Sequence, residues 1–527
     1  MALLKQLVKE RNIKDNKNEG RVIQLISINN GLVTELRRSS TSIIKQFLIN
    51  NGYDVECNDY FYIMYSRFSK TEYASYVAEL ADLPKFIPML KNYRENKDNL
   101  LKGIEDEFTE HQWKIIERIN SDVEKLEIPD NSVFGFSVTY ISHFYCSYYA
   151  LKLRQKNPNI KIVMGGYHMG FGENVRDFSL ISGIVDVVVK DDGCQPMLDV
   201  IEGRLTSGDV IGRFSKVPSW PEFSRLDVEL SKGIIPSLTS VGCPNQCAFC
   251  ASKRPYITYN LDKMEEYLIR TKKRSGFTAI ELADDNVNAS VERGIRVCNM
   301  MKRVGVQAWH SFGVPRNIHP DFVKGLKESN AVSIFLGAES FNNKVYELMN
   351  KAQGQTQDEA IEAIERVCES GVMACVGLIV GLPGETDEDN KYRMKICEYF
   401  WNKYGHLYDL LATVFKLFPN SRIYQYPDEF GVKLTYWEDE YVNAIPELRE
   451  VLSKIPKKFT IEGMKRQDAR DRMMKLRSLY PTSGLAKWDM DKKYTEKGAF
   501  NFNYTGNMEL NLEYATDYVE KGALDED

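Results

Sequence analysis

No run of about 18 consecutive apolar residues, the length a bilayer-spanning helix needs, occurs in this 527-residue chain. A secretory signal is missing too. The start, MALLKQLVKERNIKDNKNEG, has its short apolar stretch broken by Lys5 and Lys9 and lacks the apolar core such signals carry. Both absences lead to the expectation of a cytoplasmic protein with no membrane partner. Charge of one sign is also absent. With 69 Lys+Arg against 74 Asp+Glu the formal net charge is −5, which argues against bulk electrostatic binding of nucleic acid, and no nucleic-acid partner is expected. In a reducing compartment the ten cysteines point to metal or catalysis sooner than to disulfides.

What is present is a soluble globular balance, 43% hydrophobic and 27% charged, on a chain long enough for several domains. After a polar leader (1–20), strand-like runs alternate with helical ones from Arg21 to about 215. "RVIQLISI", "YDVEC", "SVFGFSVTY", "IKIVMGGYHMG" and "GIVDVVVKDDG" are the strands. That rhythm predicts a doubly wound parallel sheet of Rossmann or flavodoxin type. Residues 61–130, polar and helical in period, read as an insertion. A proline-bearing linker is expected at 216–232.

From 233 to 425 the alternation starts again, with six candidate strands: "IIPSLTS", "AIELAD", "QAWHSFG", "VSIFLGAE", "MACVGLIVG" and "LLATVFKLF". Six repeats predict a partial (β/α)6 barrel with its working residues at the strands' C-terminal ends. Residues 426–527 are read as a mostly helical region near the substrate.

The densest chemistry is "SVGCPNQCAFCAS", where Cys243, Cys247 and Cys250 follow the first barrel strand. Structural zinc sites close with four ligands, yet no second C-x2-C or histidine pair lies nearby; His310 is distant in sequence. An iron–sulfur cube takes one thiolate per iron, so three thiolates leave one iron open. Zinc remains the rival, as does a packing role for three buried thiols.

The spacing C-x3-C-x2-C, with Phe249 before the last cysteine, resembles the signature of the radical S-adenosylmethionine (SAM) superfamily. The resemblance implies a [4Fe–4S] cluster on Cys243, Cys247 and Cys250, with SAM chelating the open iron. It also implies an external electron donor such as flavodoxin or ferredoxin. Phe249, Asp284, Asp285, Arg316, Glu339, Ser340, Gly377 and Ile379 would then surround SAM. A helix N-cap is the alternative for Asp284 and Asp285, and an ordinary surface position for Arg316.

"GFSVTY", "VMGGYHMG" and "VVVKDDG" resemble strings of cobalamin-binding domains fused to such barrels. The match would place Ser137, Thr139, Gly165, Gly166, Tyr167 and Gly193 near a corrin. Departures are the absence of D-x-H-x-x-G, the string Lys190-Asp191-Asp192-Gly193 in place of Gly-Glu-Gly-Glu, and "NNG" (Asn29–Gly31) where a proline-rich loop belongs. The implied activity is radical-based hydrogen abstraction with C-methylation of a small-molecule or peptide substrate. Alternatives are a vestigial or non-methylating cobalamin fold serving cyclisation, rearrangement, oxidation or epimerisation, and a non-catalytic iron–sulfur or zinc protein. His168 faces either the corrin or solvent on this reading.

Overall fold

The computed structural model describes residues 17–28, 39–60, 80, 82–230 and 233–479. Most of the leader, the Asn29–Gly31 string and residues 480–527 lie outside the described residues. Among the described residues no helix is long and apolar enough to cross a membrane.

Six parallel strands form the first sheet: β1 (Ile23–Ile28), β2 (Glu56–Tyr60), β3 (Val133–Ser137), β4 (Lys161–Gly165), β5 (Val187–Asp191) and β6 (Gly208–Gly212). Their order is β2-β1-β3-β4-β5-β6, the flavodoxin-like arrangement whose ligand crevice opens where the order reverses. Every residue of β1 is buried, as a parallel strand covered on both faces requires. Strand β6 was not read from the sequence: "GDVIG" carries two glycines and only two apolar residues, too weak a signal for an edge strand.

The described part of the 61–130 segment, from residue 82 on, does more than extend a loop. Helices Leu83–Arg94 and Glu110–Lys125 sink Phe86, Ile87, Ile115 and Ile119 into one core with Phe144 and Phe178. It is therefore a covering layer of the sheet.

The linker contains a short helix, Arg225–Leu230. Before it, Trp220 stacks on Tyr267 at 5.3 Å, and the Tyr267 hydroxyl donates to Pro221 O at 2.7 Å.

The second sheet begins at β7 (Ile234–Ser237). A small antiparallel pair, β8 (Ser240–Val241) and β9 (Ile257–Thr258), follows; then come β10 (Ala279–Leu282), β11 (Ala308–Gly313), β12 (Ala331–Glu339), β13 (Met373–Val380) and β14 (Tyr408–Val414). Strands β7, β10, β11, β12, β13 and β14 are neighbours in that order and all parallel, the partial barrel that the sequence predicts. Several of the helices between them start on side-chain caps: Asn260, Ser290, Thr356 and Thr386 each accept a backbone N–H of the first turn. Such caps satisfy donors that the helix itself leaves open.

The apolar residues that alternate outward pack against those helices, Ile280, Trp309, Ile334, Ala374 and Leu410 among them. Residues of the opposite phase include buried Glu281, His310, Ser333 and Asp409. His310 Nδ1 lies 2.7 Å from Ser333 Oγ. Burial lowers the His310 pKa from 6.5 to about 4, because a charged ring is disfavoured away from water. The stability this neutral ring contributes is whole above pH 6.5 and is lost as pH falls through about 4. Urea midpoints measured against pH are expected to fall across that window, and His310→Gln is expected to flatten the fall.

The C-terminal region adds a hairpin, β15 (Val432–Tyr436) with β16 (Pro456–Ile461), and a helix, Arg466–Leu479. Trp437, Leu448 and Leu452 join the core of the first sheet, while Phe459, Ala469 and Leu476 join that of the barrel. Trp437 and Tyr441 thus pack a core, and Tyr436 is exposed. Arg477 Nε donates to Ala412 O of β14 at 2.9 Å.

Candidate functional site

The cysteine loop is closed at its base by the β8–β9 pair, Ser240 opposite Thr258 and Val241 opposite Ile257. Gly242 has φ +73, and a Cβ there would come within 2.4 Å of Pro255 O. Only glycine adopts that backbone without strain. The loop is pinned from outside as well: Ala248 N donates to Met349 O at 2.8 Å, Asn350 Nδ2 to Gln246 O at 3.2 Å, and Gln353 Nε2 to Pro244 O at 3.0 Å.

None of Cys243, Cys247 and Cys250 is in a disulfide. Asn286 Nδ2 points at Cys243 Sγ from 3.7 Å, and Ser252 N at Cys250 Sγ from 3.3 Å. Burial pushes the Cys250 thiol up to about 11, against which the Ser252 N–H works. Such N–H groups favour the thiolate form that iron binds. Among the described residues no three His, Cys, Asp or Glu side chains converge to hold a single ion. A zinc site gathers its ligands on one point, whereas a cube spreads its thiolates over separate irons. The donor set fits a cluster better than zinc.

Asp284 is fully buried. Its carboxylate accepts Thr239 N at 2.6 Å, Ser240 Oγ at 2.7 Å and the Thr239 hydroxyl. Arg293 Nη2 donates to Thr239 O at 2.5 Å. Burial raises the Asp284 pKa while those donors oppose it. Asp284 therefore positions the entry to the cysteine loop, and Asp285 is the neighbour that reaches the cavity described below. Asp284→Asn sets an amide against three donors. It is expected to weaken cluster retention by about 10–100-fold, the usual effect of losing a support behind a ligand, read as iron and sulfide left after gel filtration.

On β12, Glu339 has φ +67 at a register shift against β13. Its carboxylate lies 3.5 Å from Lys351 Nζ, with the lysine buried and the glutamate partly so, and Lys351 Nζ stands 5.8 Å from the Phe249 ring centre. Burial works against the Lys351 ammonium, yet Glu339 and the three cysteines hold its pKa above the ordinary lysine value. Ser340 Oγ is buried with no hydrogen-bond partner among the described residues, and its carbonyl accepts the Tyr346 hydroxyl. A buried hydroxyl without a partner is costly unless a ligand or water meets it. Lys351 thus brings Phe249 and Glu339 together beside the cysteines.

Gly377, on β13, carries no side chain where a Cβ would be 2.4 Å from Phe335 Cζ. Ile379, at that strand's end, is half-buried. Arg316 sits in a single turn, Pro315–Asn317, with its guanidinium on Gln353 O. Lys351 carries no motif that marks it in the sequence.

Between the two sheets lies a cavity of about 270 Å³. Ser137, Gly165, Gly166, Tyr167 and Gly193 line it from the first sheet, and Ser240, Val241 and Asp285 from the barrel. Gly166 has φ +96, and a Cβ would meet Val138 N at 2.6 Å; at Gly193 a Cβ would meet Ile44 Cδ1 at 2.8 Å. Thr139 stands apart from this lining, its hydroxyl 3.0 Å from Ser142 Oγ. His168 is buried beside His143, ring centres 4.9 Å apart, so it is not a surface residue. Asp191 Oδ1, at the end of β5, is buried without a hydrogen-bond partner among the described residues.

A three-cysteine loop after the first strand of a six-stranded partial barrel is the arrangement that the resemblance to the radical SAM superfamily implies. Residues 237–394 match the model of the Radical SAM superfamily, and the chain carries a domain of that superfamily, whose cofactors are a [4Fe–4S] cluster and SAM. An uncharacterized methyltransferase of Pyrococcus horikoshii is 23% identical over 400 residues, covering 67% of this chain and 84% of the relative. A tRNA-2-methylthio-N(6)-dimethylallyladenosine synthase of Moorella thermoacetica is 24% identical, covering 45% and 56%. Among solved structures, the radical SAM methyltransferase TsrM of Kitasatospora setae superposes with a TM-score of 0.59 at 14% identity, covering 95% of this chain and all of that one.

Proposed function

We propose that this protein is a cobalamin-dependent radical SAM enzyme that methylates an unactivated carbon of a small molecule or peptide. The observation that carries the reading is the cavity where the C-terminal ends of both sheets face one another, lined by five of the six residues expected beside a corrin. A structure of TsrM holds cobalamin and a [4Fe–4S] cluster, and the Pyrococcus relative is named a methyltransferase; both support it.

When bound, the cluster and SAM supply a 5′-deoxyadenosyl radical that abstracts hydrogen from substrate, and cobalamin supplies the methyl group. The chain's own work is to bind and to exclude. Cys243, Cys247 and Cys250 would hold the cluster. Ser340 and the Glu339–Lys351 pair would offer a hydroxyl, a carboxylate and an ammonium to the polar groups of SAM. Phe312 and Phe335, ring centres 5.2 Å apart, bring apolar surface to the barrel strands and limit water. Gly165 and Gly166 line the cavity with backbone, and Gly166 lets the chain pack closely on Val138 at its rim.

A second reading, radical chemistry without cobalamin, draws on Lys190, Asp191 and Asp192 standing where Gly-Glu-Gly is usual. Anaerobic reconstitution with iron, sulfide and corrinoid assays tests both. Near-stoichiometric corrinoid together with SAM cleavage is expected. SAM cleavage in protein that takes up no corrinoid despite supply would overturn the methylation reading, and absent labile sulfide would overturn the radical one.

A further inference from the structure

A second cavity, of about 490 Å³, opens beside the first and shares Gly166, Tyr167, Asp191 and Arg254 with it. Its walls bring together parts of the chain that are far apart in sequence. Lys190 comes from the end of β5, Lys253 and Arg254 from the cysteine loop, and Arg422 from the helix Arg422–Gln425 after β14. Four cations thus face one lining carboxylate, Asp191, in a chain whose net charge is −5. A local basic excess in an acidic protein concentrates anions where it occurs.

The cations are only partly engaged. Arg254 leans over the Tyr167 ring at 5.3 Å and reaches Asp285 at 3.8 Å, while its Nε is buried without a hydrogen-bond partner among the described residues. Arg422 pairs at 2.8 Å with Glu429, where both side chains are about half exposed, so water screens that pair and it holds the guanidinium weakly. Gln246, Asn350 and Gln425 add neutral amides to the same wall.

We propose that this cavity is a subsite for an oxyanion, carboxylate or phosphate, carried by the molecule the enzyme modifies. The proposal rests on the radical SAM reading above and adds a substrate class to it. Guanidinium and ammonium groups from three separate elements suit such a group, because arginine meets its oxygens two at a time and lysine adds a point charge. An anion held by Arg422 and Lys190 leaves the rest of the molecule beside the wall shared with the first cavity. That wall, Gly166, Tyr167 and Arg254, lies between the cysteine loop and the ends of β4 and β5.

The test is a titration of the reconstituted full-length protein with inorganic phosphate, and separately with hydroxocobalamin. Saturable phosphate binding is expected, and the double variant Lys190→Gln/Arg422→Gln is expected to weaken it about tenfold or more. Glu429→Gln, which frees Arg422 from its partner, should bind phosphate at least as tightly as the unmodified protein; this variant separates loss of charge from disturbance of the helix. Hydroxocobalamin affinity in the double variant should change by less than about twofold. Absent phosphate binding, or equal binding by the double variant, overturns the proposal. So does a parallel loss of hydroxocobalamin affinity, which would assign the oxyanion to the phosphodiester of the corrinoid itself. Failure of the radical SAM reading shows elsewhere, as missing cluster or missing SAM cleavage in the unmodified protein.

Discussion

Cys247→Ala is expected to abolish SAM cleavage, with 5′-deoxyadenosine formation down by about three orders of magnitude or more, because an iron–sulfur cube is held by its thiolates. Cys247 is the middle cysteine of the loop and the most buried of the three. Its carbonyl is held by Lys253 Nζ at 3.2 Å and accepts Cys250 N at 3.2 Å. The backbone of the loop does not depend on the sulfur, so the variant should keep its fold and thermal midpoint. Labile sulfide, iron and the electron paramagnetic resonance of the reduced protein are the measurements. Retention of a reducible cube with intact SAM cleavage would contradict the assignment of these ligands.

Gly166→Val should remove corrinoid binding while leaving the cluster in place. At φ +96 a side chain costs on the order of 1–3 kcal/mol in backbone strain alone, and a β-branched residue is worse placed there than most. The new Cβ would also press on Val138 N at 2.6 Å and Val138 O at 2.7 Å. Val138 N donates to Gly165 O, and Val138 O accepts His168 N. Pushing these groups apart deforms the ends of β3 and β4 together, which are the rim of the interdomain cavity. Hydroxocobalamin retention is expected to fall at least about tenfold, with iron and sulfide unchanged. Equal loss of both cofactors would mean that the sheets are coupled more tightly than separate cores suggest.

The two architectures were legible because their strands are apolar runs broken by capped helices, a pattern that depends on neighbours in sequence. The three cysteines were legible for the same reason. Side chains that act across the fold were not. Lys351 sits about a hundred residues beyond the cysteines and meets Phe249 only after β12 and its helix have folded. Asp284 is a candidate neighbour of SAM through the resemblance to the radical SAM superfamily. Only the structure reveals that its oxygens are taken by Thr239 and Ser240. Likewise, the 61–130 segment reads as polar, since its buried apolar residues are scattered over two helices and the stretch between them, as Phe86, Leu101 and Ile119 show. The basic cavity was invisible because Lys190, Arg254 and Arg422 share no motif.

The helix Arg466–Leu479 has a further consequence. β14 is the last strand of the open barrel, and among the described residues it has a strand neighbour on one side only. Its unpaired flank is a template for another chain. Arg477, by occupying Ala412 O, and the helix lying over β14 and β13 obstruct that template. A version of the protein lacking this helix would expose a parallel strand edge, and its first fault would be self-association into aggregates, before any loss of chemistry.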